Sequence, residues 1–91
     1  MENDELLERL SAERKKMLEV FASLSIKKHG VITDEFISMA KNYSSDSDYF
    51  FEKKDYIRSF EAVVISWAYI DAGIKAGFFT VSDALKGYFT S

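Results

Sequence analysis

The hydrophobic residues of this chain recur at alternating three- and four-residue spacing along three long stretches. That spacing puts them on one helical face in each stretch, which predicts helices over residues 4–28, 34–53 and 56–77. No proline interrupts these stretches. The positions that carry the pattern are Leu7, Leu10, Met17, Phe21 and Leu24, then Phe36, Met39, Tyr43 and Phe50, then Phe60, Val64, Trp67, Ile74 and Phe78.

Glycines and capping residues mark the ends of these helices. Gly30 follows the first apolar stretch and Gly77 follows the third, where a residue tolerant of the left-handed conformation favours a helix end. Thr33 and Asp55 stand where a side-chain oxygen would cap the second and third helices. The sequence therefore predicts three helices with short connections.

Such helices predict an all-α fold, an up-and-down antiparallel three-helix bundle that forms a single domain over residues 1–91. The serine-rich segment 44–48 has poor helix propensity, but the apolar spacing stays in phase across it, which favours a continuous second helix. Thr80 and Asp83 resemble a capping box, which predicts a short C-terminal helical turn over residues 81–86.

Two aspartates, Asp46 and Asp71, fall at inward positions of the apolar stripes. In an antiparallel hairpin Asp46 would face Ala62 and Asp71 would face Ile37, about 13 Å apart along the bundle, which is too far for a shared-proton pair. Lys15 and its neighbour Arg14 would lie opposite Asp46. We therefore predict a structural polar core in which Arg14 and Asp46 form an ion pair and hydroxyls hold Asp71. A ligand-binding or catalytic role for the two aspartates is the alternative.

Composition excludes several kinds of chemistry. The chain has no cysteine and one histidine, so thiolate chemistry is impossible and a transition-metal site is not expected. His29 is better explained as a solvated residue at a helix end. We find no catalytic, cofactor-binding or metal constellation, and we expect a protein that is not an enzyme.

Charge and hydropathy bear on location and partners. A formal net charge of -3 disfavours bulk binding to nucleic acid or to an anionic membrane, and the basic groups are interleaved with acids. The longest apolar run is too short to span a bilayer. The acidic N-terminal residues do not resemble a signal peptide, so we expect a cytoplasmic protein.

The third helix is apolar around nearly its whole circumference, and the chain has more aromatic residues than so small a bundle can bury. We predict a protein–protein interaction or scaffolding domain that forms a homodimer, in which a second copy covers the surplus apolar surface. Alternatively, the C-terminal segment of a monomer folds back and covers that surface. A nucleic-acid-binding accessory domain and a metal-dependent nucleotide-handling enzyme are the rival functions. The predicted interface comprises Tyr49, Phe51, Ile65, Tyr69, Phe78, Phe79, Tyr88 and Phe89.

Two segments carry a resemblance to a known family. They are residues 43–62, YSSDSDYFFEKKDYIRSFEA, and residues 66–73, SWAYIDAG. Their ordered aromatic, acidic and Ala-rich motifs resemble the archaeal "domain of unknown function 357" family. Lys54 stands where that family usually has glycine, and Ser59 where it often has alanine. The resemblance implies a small cytoplasmic three-helix bundle from an archaeon, with no established activity.

Overall fold

A computed structural model of the chain describes residues 2–89. Helices predominate, which confirms the all-α class, and the sheet described in this part of the chain is one pair of two-residue strands. The α-helices are α1 (Glu2–Ser23), α2 (Val31–Glu52) and α3 (Tyr56–Lys75); the strands are β1 (Ser25–Ile26) and β2 (Phe79–Thr80), and a 3₁₀ helix spans Asp83–Phe89.

The first helix is shorter than the sequence predicts, because the chain after Ser23 joins a strand pair. Ser25 pairs with Thr80 in the antiparallel register. The backbone N–H groups of Lys27 and Lys28 then both donate to the Phe78 carbonyl, at 2.9 and 3.0 Å. Pairing with a distant segment therefore overrides the local preference for helix.

The second helix begins two residues before the predicted cap. Gly30 is the residue that precedes its first turn, and Thr33 lies inside the helix. The Thr33 hydroxyl donates to the Lys28 carbonyl at 2.6 Å, so it ties the helix to the preceding loop. From Val31 the helix runs unbroken through the serine-rich segment to Glu52.

Of the two predicted caps that remain, the one at Asp55 forms and the one at Thr80 does not. The Asp55 carboxylate accepts from the Arg58 N–H at 3.2 Å and caps α3 as predicted. No capping box forms at Thr80, whose hydroxyl donates weakly to the Val81 carbonyl at 3.4 Å. The C-terminal turn is instead a 3₁₀ helix that begins at Asp83.

The helices α2 and α3 end in the same backbone motif. Gly77 has φ 79°, and the N–H groups of Gly77 and Phe78 donate back into the last turn of α3 at 3.0 Å each, which is the Schellman arrangement. Lys54 takes the corresponding position after α2 with φ 61°. The sharp turn between α2 and α3 therefore uses a left-handed residue that is not glycine.

The antiparallel contact between α2 and α3 is built from small buried residues, which we call the small-residue seam. Each helix contributes three of them at seven-residue spacing, so that they lie on one side. The Ser47 and Ser59 hydroxyls each donate to the other residue's carbonyl, at 2.8 and 2.7 Å, and the Ser66 hydroxyl donates to the Ala40 carbonyl at 2.6 Å. The seam comprises Thr33, Ala40 and Ser47 on α2 and Ser59, Ser66 and Gly73 on α3.

Large apolar side chains fill the core between α1, α3 and the C-terminal segment. α1 packs mainly against α3 and has little contact with α2. Phe79 of β2 is buried with its ring against Gly73, where any Cβ would overlap the ring. The fully or nearly buried apolar residues of this core are Leu10, Met17, Val20, Val63, Ile70, Phe79, Val81, Leu85 and Phe89, and Ala40 of the small-residue seam belongs to the same buried cluster.

Candidate functional site

The predicted ion pair between Arg14 and Asp46 is wrong. Asp46 is exposed, and Arg14 instead pairs with Asp48, with Nη2 and Nε at 2.8 and 3.2 Å from Oδ1. The Arg14 guanidinium also lies over the Phe51 ring, 3.9 Å from its centroid. Because Ser47 faces α3, the residue before it turns away by about 100° and points to solvent.

Asp71 is likewise not a core residue. Its carboxylate accepts from Lys75 Nζ at 2.9 Å, one turn further along α3. The predicted hydroxyl partners are not the ones that it uses. Half-exposed ion pairs of this kind contribute little to stability, so the buried serines of the seam, rather than the aspartates, are the polar groups that fix the helix register.

The structure divides the predicted interface residues into three groups. Phe79 and Phe89 are core residues, because the C-terminal segment folds back over the bundle. Phe79 is excluded from a surface, whereas Phe89 keeps one edge on a groove. Phe51, Tyr69 and Phe78 are half-buried in aromatic contacts: Phe51 with Tyr56, Tyr69 with Phe36 and Tyr43, and Phe78 with Phe36. Tyr49, Ile65 and Tyr88 remain exposed.

Folding back of the C-terminal segment leaves one side of α3 uncovered. Val64 is 49% exposed and Ile65 is 39% exposed, and the two alanines that follow on the same side are also exposed. Helical spacing places these positions on one arc, opposite the core. We call this surface the α3 face; it comprises Val64, Ile65, Ala68 and Ala72.

A groove adjoins the α3 face where α3 meets α1 and the 3₁₀ helix. Its volume is about 370 Å³. Trp67 lies in it with ring centroids 4.9 Å from Phe89 and 5.9 Å from Tyr88. The buried indole N–H of Trp67 has no acceptor within residues 2–89. The lining residues are Glu13, Val64, Trp67, Ala68, Asp71, Tyr88 and Phe89.

The rim of the groove carries a charged pair. Lys16 Nζ lies 3.0 Å from Glu13 Oε2, an ion pair whose angles fall short of a hydrogen bond. The same ammonium lies 5.0 Å from the centroid of the Tyr88 ring, within cation–π range. The groove thus combines an aromatic floor, one unpaired donor and a charged edge, which suits recognition of an apolar group that also presents an acceptor.

The acidic side chains in the described part of the chain form no metal-binding cluster. Among the side chains of residues 4–89, no three of His, Cys, Asp or Glu are close enough together to hold a metal ion. Lys86, by a hydrogen bond and by its charge, lowers the pKa of the exposed Asp83 at the start of the 3₁₀ helix. A lowered carboxyl pKa is the opposite of what a general acid at neutral pH requires.

The basic residues do not form one surface. Lys27 and Lys28 lie before α2, whereas Lys53, Lys54 and Arg58 follow it, and a helix of that length separates the two groups by about 30 Å. Arg58 is also paired with Asp55 at 3.2 Å. Among the helices of residues 2–89, none is long and apolar enough to cross a membrane.

Comparison with known proteins gives a family and a fold. A family model described as "Protein of unknown function (DUF357)" matches residues 8–79. The crystal structure of protein AF1782 from Archaeoglobus fulgidus, which carries the same family model, is similar with a TM-score of 0.77 and 27% sequence identity; the alignment covers 90% of this chain and 100% of that one. No curated protein matches the chain.

Proposed function

The chain belongs to the DUF357 family, a family of unknown function, and from that premise we propose that it is a non-enzymatic protein-interaction domain whose α3 face binds a helix of another polypeptide. The observation that carries the proposal is the apolar strip on α3 that neither α1, α2 nor the folded-back C-terminal segment covers. Contiguous exposed apolar surface on a small protein is typical of an interaction site.

The size of the exposed side chains supports a helix as the occupant. Val64 and Ile65 present branched side chains, while Ala68 and Ala72 leave room for a second backbone to approach closely. Fully burying a side chain of the valine or isoleucine class contributes about 1.5–3 kcal/mol, so covering these partly exposed residues contributes a fraction of that for each. A helix laid along the face would bury all four positions at once.

The groove beside the face supplies an anchor point. Tryptophan and tyrosine are enriched at the centres of protein interfaces, and here Trp67 and Tyr88 form the groove with Phe89. A partner side chain would fill the apolar part, and a partner carbonyl or hydroxyl would accept from the Trp67 N–H. An unpaired buried donor is costly, so a partner that satisfies it gains affinity.

The two rival functions have less support. A nucleic-acid-binding domain would need its cations on one surface, whereas the basic groups are at opposite ends of α2. A metal-dependent nucleotide-handling enzyme would need clustered carboxylates, whereas Asp46 is exposed on α2 and Asp71 is paired with Lys75 on α3.

Photo-crosslinking tests the proposal. A photoreactive residue at position 68 should give a defined polypeptide adduct in cells of the native host, and the same residue at position 12, an exposed alanine on α1, should not. The adduct partner, identified by mass spectrometry and purified, should bind Ala68→Glu at least tenfold more weakly than wild type and bind Ala12→Glu normally. Equal binding by both variants, or no adduct at position 68, would contradict the proposal.

A further inference from the structure

Resting on the proposed function, we propose that the partner at the α3 face is a second copy of this chain, packed with its α3 antiparallel about a two-fold axis at Ala68. Such a contact is isologous: each copy uses the same surface and presents it in the reverse direction. The surface must therefore be complementary to itself when it is reversed. Glu61 and Lys75 meet that condition in charge, and Val64 and Ala72 meet it in size.

Charge is the first form of complementarity. Glu61 lies seven residues before Ala68 and Lys75 lies seven residues after it, about 10.5 Å in each direction along the helix. Both side chains are exposed and fall on the arc of the α3 face. Reversal about Ala68 brings Glu61 level with the partner's Lys75 and Lys75 level with the partner's Glu61. The dimer thus gains two symmetric opposite-charge contacts.

The present partners of these two residues leave them available. Glu61 makes no ion pair with the side chains of residues 4–89. Lys75 pairs with Asp71 at 2.9 Å on the same helix while half of its side chain stays exposed. An ammonium has three donors, so Lys75 can contact Asp71 and the partner's Glu61 together. Forming the dimer therefore breaks no existing ion pair.

Size is the second form of complementarity. Val64 lies four residues before Ala68 and Ala72 lies four residues after it, so reversal puts Val64 level with the partner's Ala72. Ala68 meets its own copy at the axis, where a small side chain allows close approach of the two helices. Branched side chains thus meet small ones at both flanks, which is the alternation that tight helix packing requires.

Other arrangements of the same two helices lose these matches. A parallel pair would put Glu61 level with the partner's Glu61 and Lys75 level with the partner's Lys75, both repulsive. An antiparallel pair centred one turn earlier, on Ile65, would put Glu61 level with the partner's Tyr69. It would put Lys75 level with the partner's Asp55, whose carboxylate already caps α3 and pairs with Arg58. The register at Ala68 is the one that uses both charges.

Sedimentation equilibrium of charge variants tests the register. Wild type should move from 10.4 kDa to twice that mass as concentration rises. Glu61→Lys alone and Lys75→Glu alone should each weaken association by about tenfold, because two attractive contacts become repulsive. The double variant, and an equimolar mixture of the two single variants, should recover it. Recovery on mixing excludes misfolding as the reason for the loss, since two misfolded chains would not restore each other.

The other possible outcomes would overturn different parts of this inference, and the first of them would leave the proposed function intact. A wild-type chain that stays at 10.4 kDa up to about 1 mM would overturn the dimer, while a position-68 adduct with a different polypeptide would leave the interaction domain standing. A dimer that Ala68→Glu does not weaken would overturn the use of the α3 face. A dimer that Ala68→Glu abolishes but that neither charge variant weakens would overturn the antiparallel register at Ala68.

Discussion

Two sides of α3 differ in a way that reverses the usual relation between polarity and burial. The side toward α2 is polar and small, yet Ser59 and Ser66 are fully buried with their hydroxyls paired to carbonyls. The side toward solvent is apolar, yet Val64 and Ile65 stay exposed. On the first side the serine hydroxyls are hydrogen-bonded and the residues are packed against α2. On the second side the apolar residues have no neighbouring helix to pack against. The comparison separates a surface that holds the fold together from one that is available for a partner.

The contrast has a physical basis in how closely two helices can approach. Small residues let the backbones of α2 and α3 come close enough for side-chain hydroxyls to reach carbonyls on the neighbouring helix. Each such bond contributes about 0.5–1.5 kcal/mol, and the groups it joins would be costly if they were left unpaired. The exposed side has no equivalent requirement, so its residues are free to serve binding.

The largest expected effect comes from filling the seam at Gly73. Gly73→Ala would put a Cβ into the Phe79 ring, and we expect a loss of about 3 kcal/mol in the free energy of unfolding from overpacking. In an ordinary helix interior the same change stabilises by about 1 kcal/mol. Urea denaturation should show destabilisation for Gly73→Ala and almost none for Gly87→Ala, where a Cβ meets no atom within 4 Å. Stabilisation by Gly73→Ala would show that Phe79 does not pack there.

Removing one seam hydroxyl should have a smaller effect. Ser66→Ala loses the bond to the Ala40 carbonyl and leaves that carbonyl with one partner fewer, so we expect a loss of about 1 kcal/mol. Ser38→Ala, at an exposed position of α2, serves as the matched control and should be neutral or slightly stabilising by helix propensity. Equal denaturation midpoints for the two variants would argue that the seam bond contributes nothing.

The turn that joins the two seam helices offers a stabilising change. Lys54 adopts φ 61°, a conformation that glycine takes without steric cost, so Lys54→Gly should raise the free energy of unfolding by somewhat less than 1 kcal/mol. Gly77→Ala, at the equivalent position after α3, should lower it by about as much. Thermal unfolding followed by circular dichroism would measure both, and a destabilising Lys54→Gly would mean that the lysine side chain makes contacts of its own.

The smallest effect on stability is expected on the open side of α3. Ala68→Glu should change the free energy of unfolding of the monomer by about 0.5 kcal/mol or less, because the position is exposed and glutamate is a good helix former. Denaturation at low protein concentration keeps association out of the measurement. A loss of more than about 2 kcal/mol would indicate that Ala68 is packed within a single chain, and would remove the distinction between the two sides.

The three helices could be predicted from sequence because apolar spacing reports helical periodicity directly. The predicted register of α1 against α2 is nearly correct. Arg14 is predicted to pair with Asp46, and it pairs with Asp48, two residues further along α2. The predicted rotation of α2 about its axis is wrong. The apolar spacing assigned Asp46 an inward position, whereas Ser47 is the residue that faces α3. The useful signal was the seven-residue spacing of small residues, Thr33, Ala40 and Ser47 facing Ser59, Ser66 and Gly73.

Two features of the candidate site were beyond local sequence patterns. The strand pair joins Ser25 to Thr80, and strands of two residues form only because distant segments meet. That pairing draws Phe79 into the core, so a residue predicted for the interface is buried instead. By contrast, the apolar circumference of α3 did indicate that some of its surface would remain uncovered. Ile65, which was predicted for the interface, is exposed, but Val64 is exposed as well although the apolar spacing assigned it to the buried stripe.

Thiol labelling of single-cysteine variants tests the two-sided account of α3 most directly, because the natural chain has no cysteine. At low concentration Ala68→Cys should react nearly as fast as an unfolded peptide, and Ser66→Cys should react on the order of a hundredfold more slowly because it is buried. At high concentration Ala68→Cys should become protected as well, unless Glu61→Lys is also present. An Ala68→Cys thiol that is protected at every concentration would contradict the two-sided account, whereas one that is protected at no concentration would overturn the dimer alone.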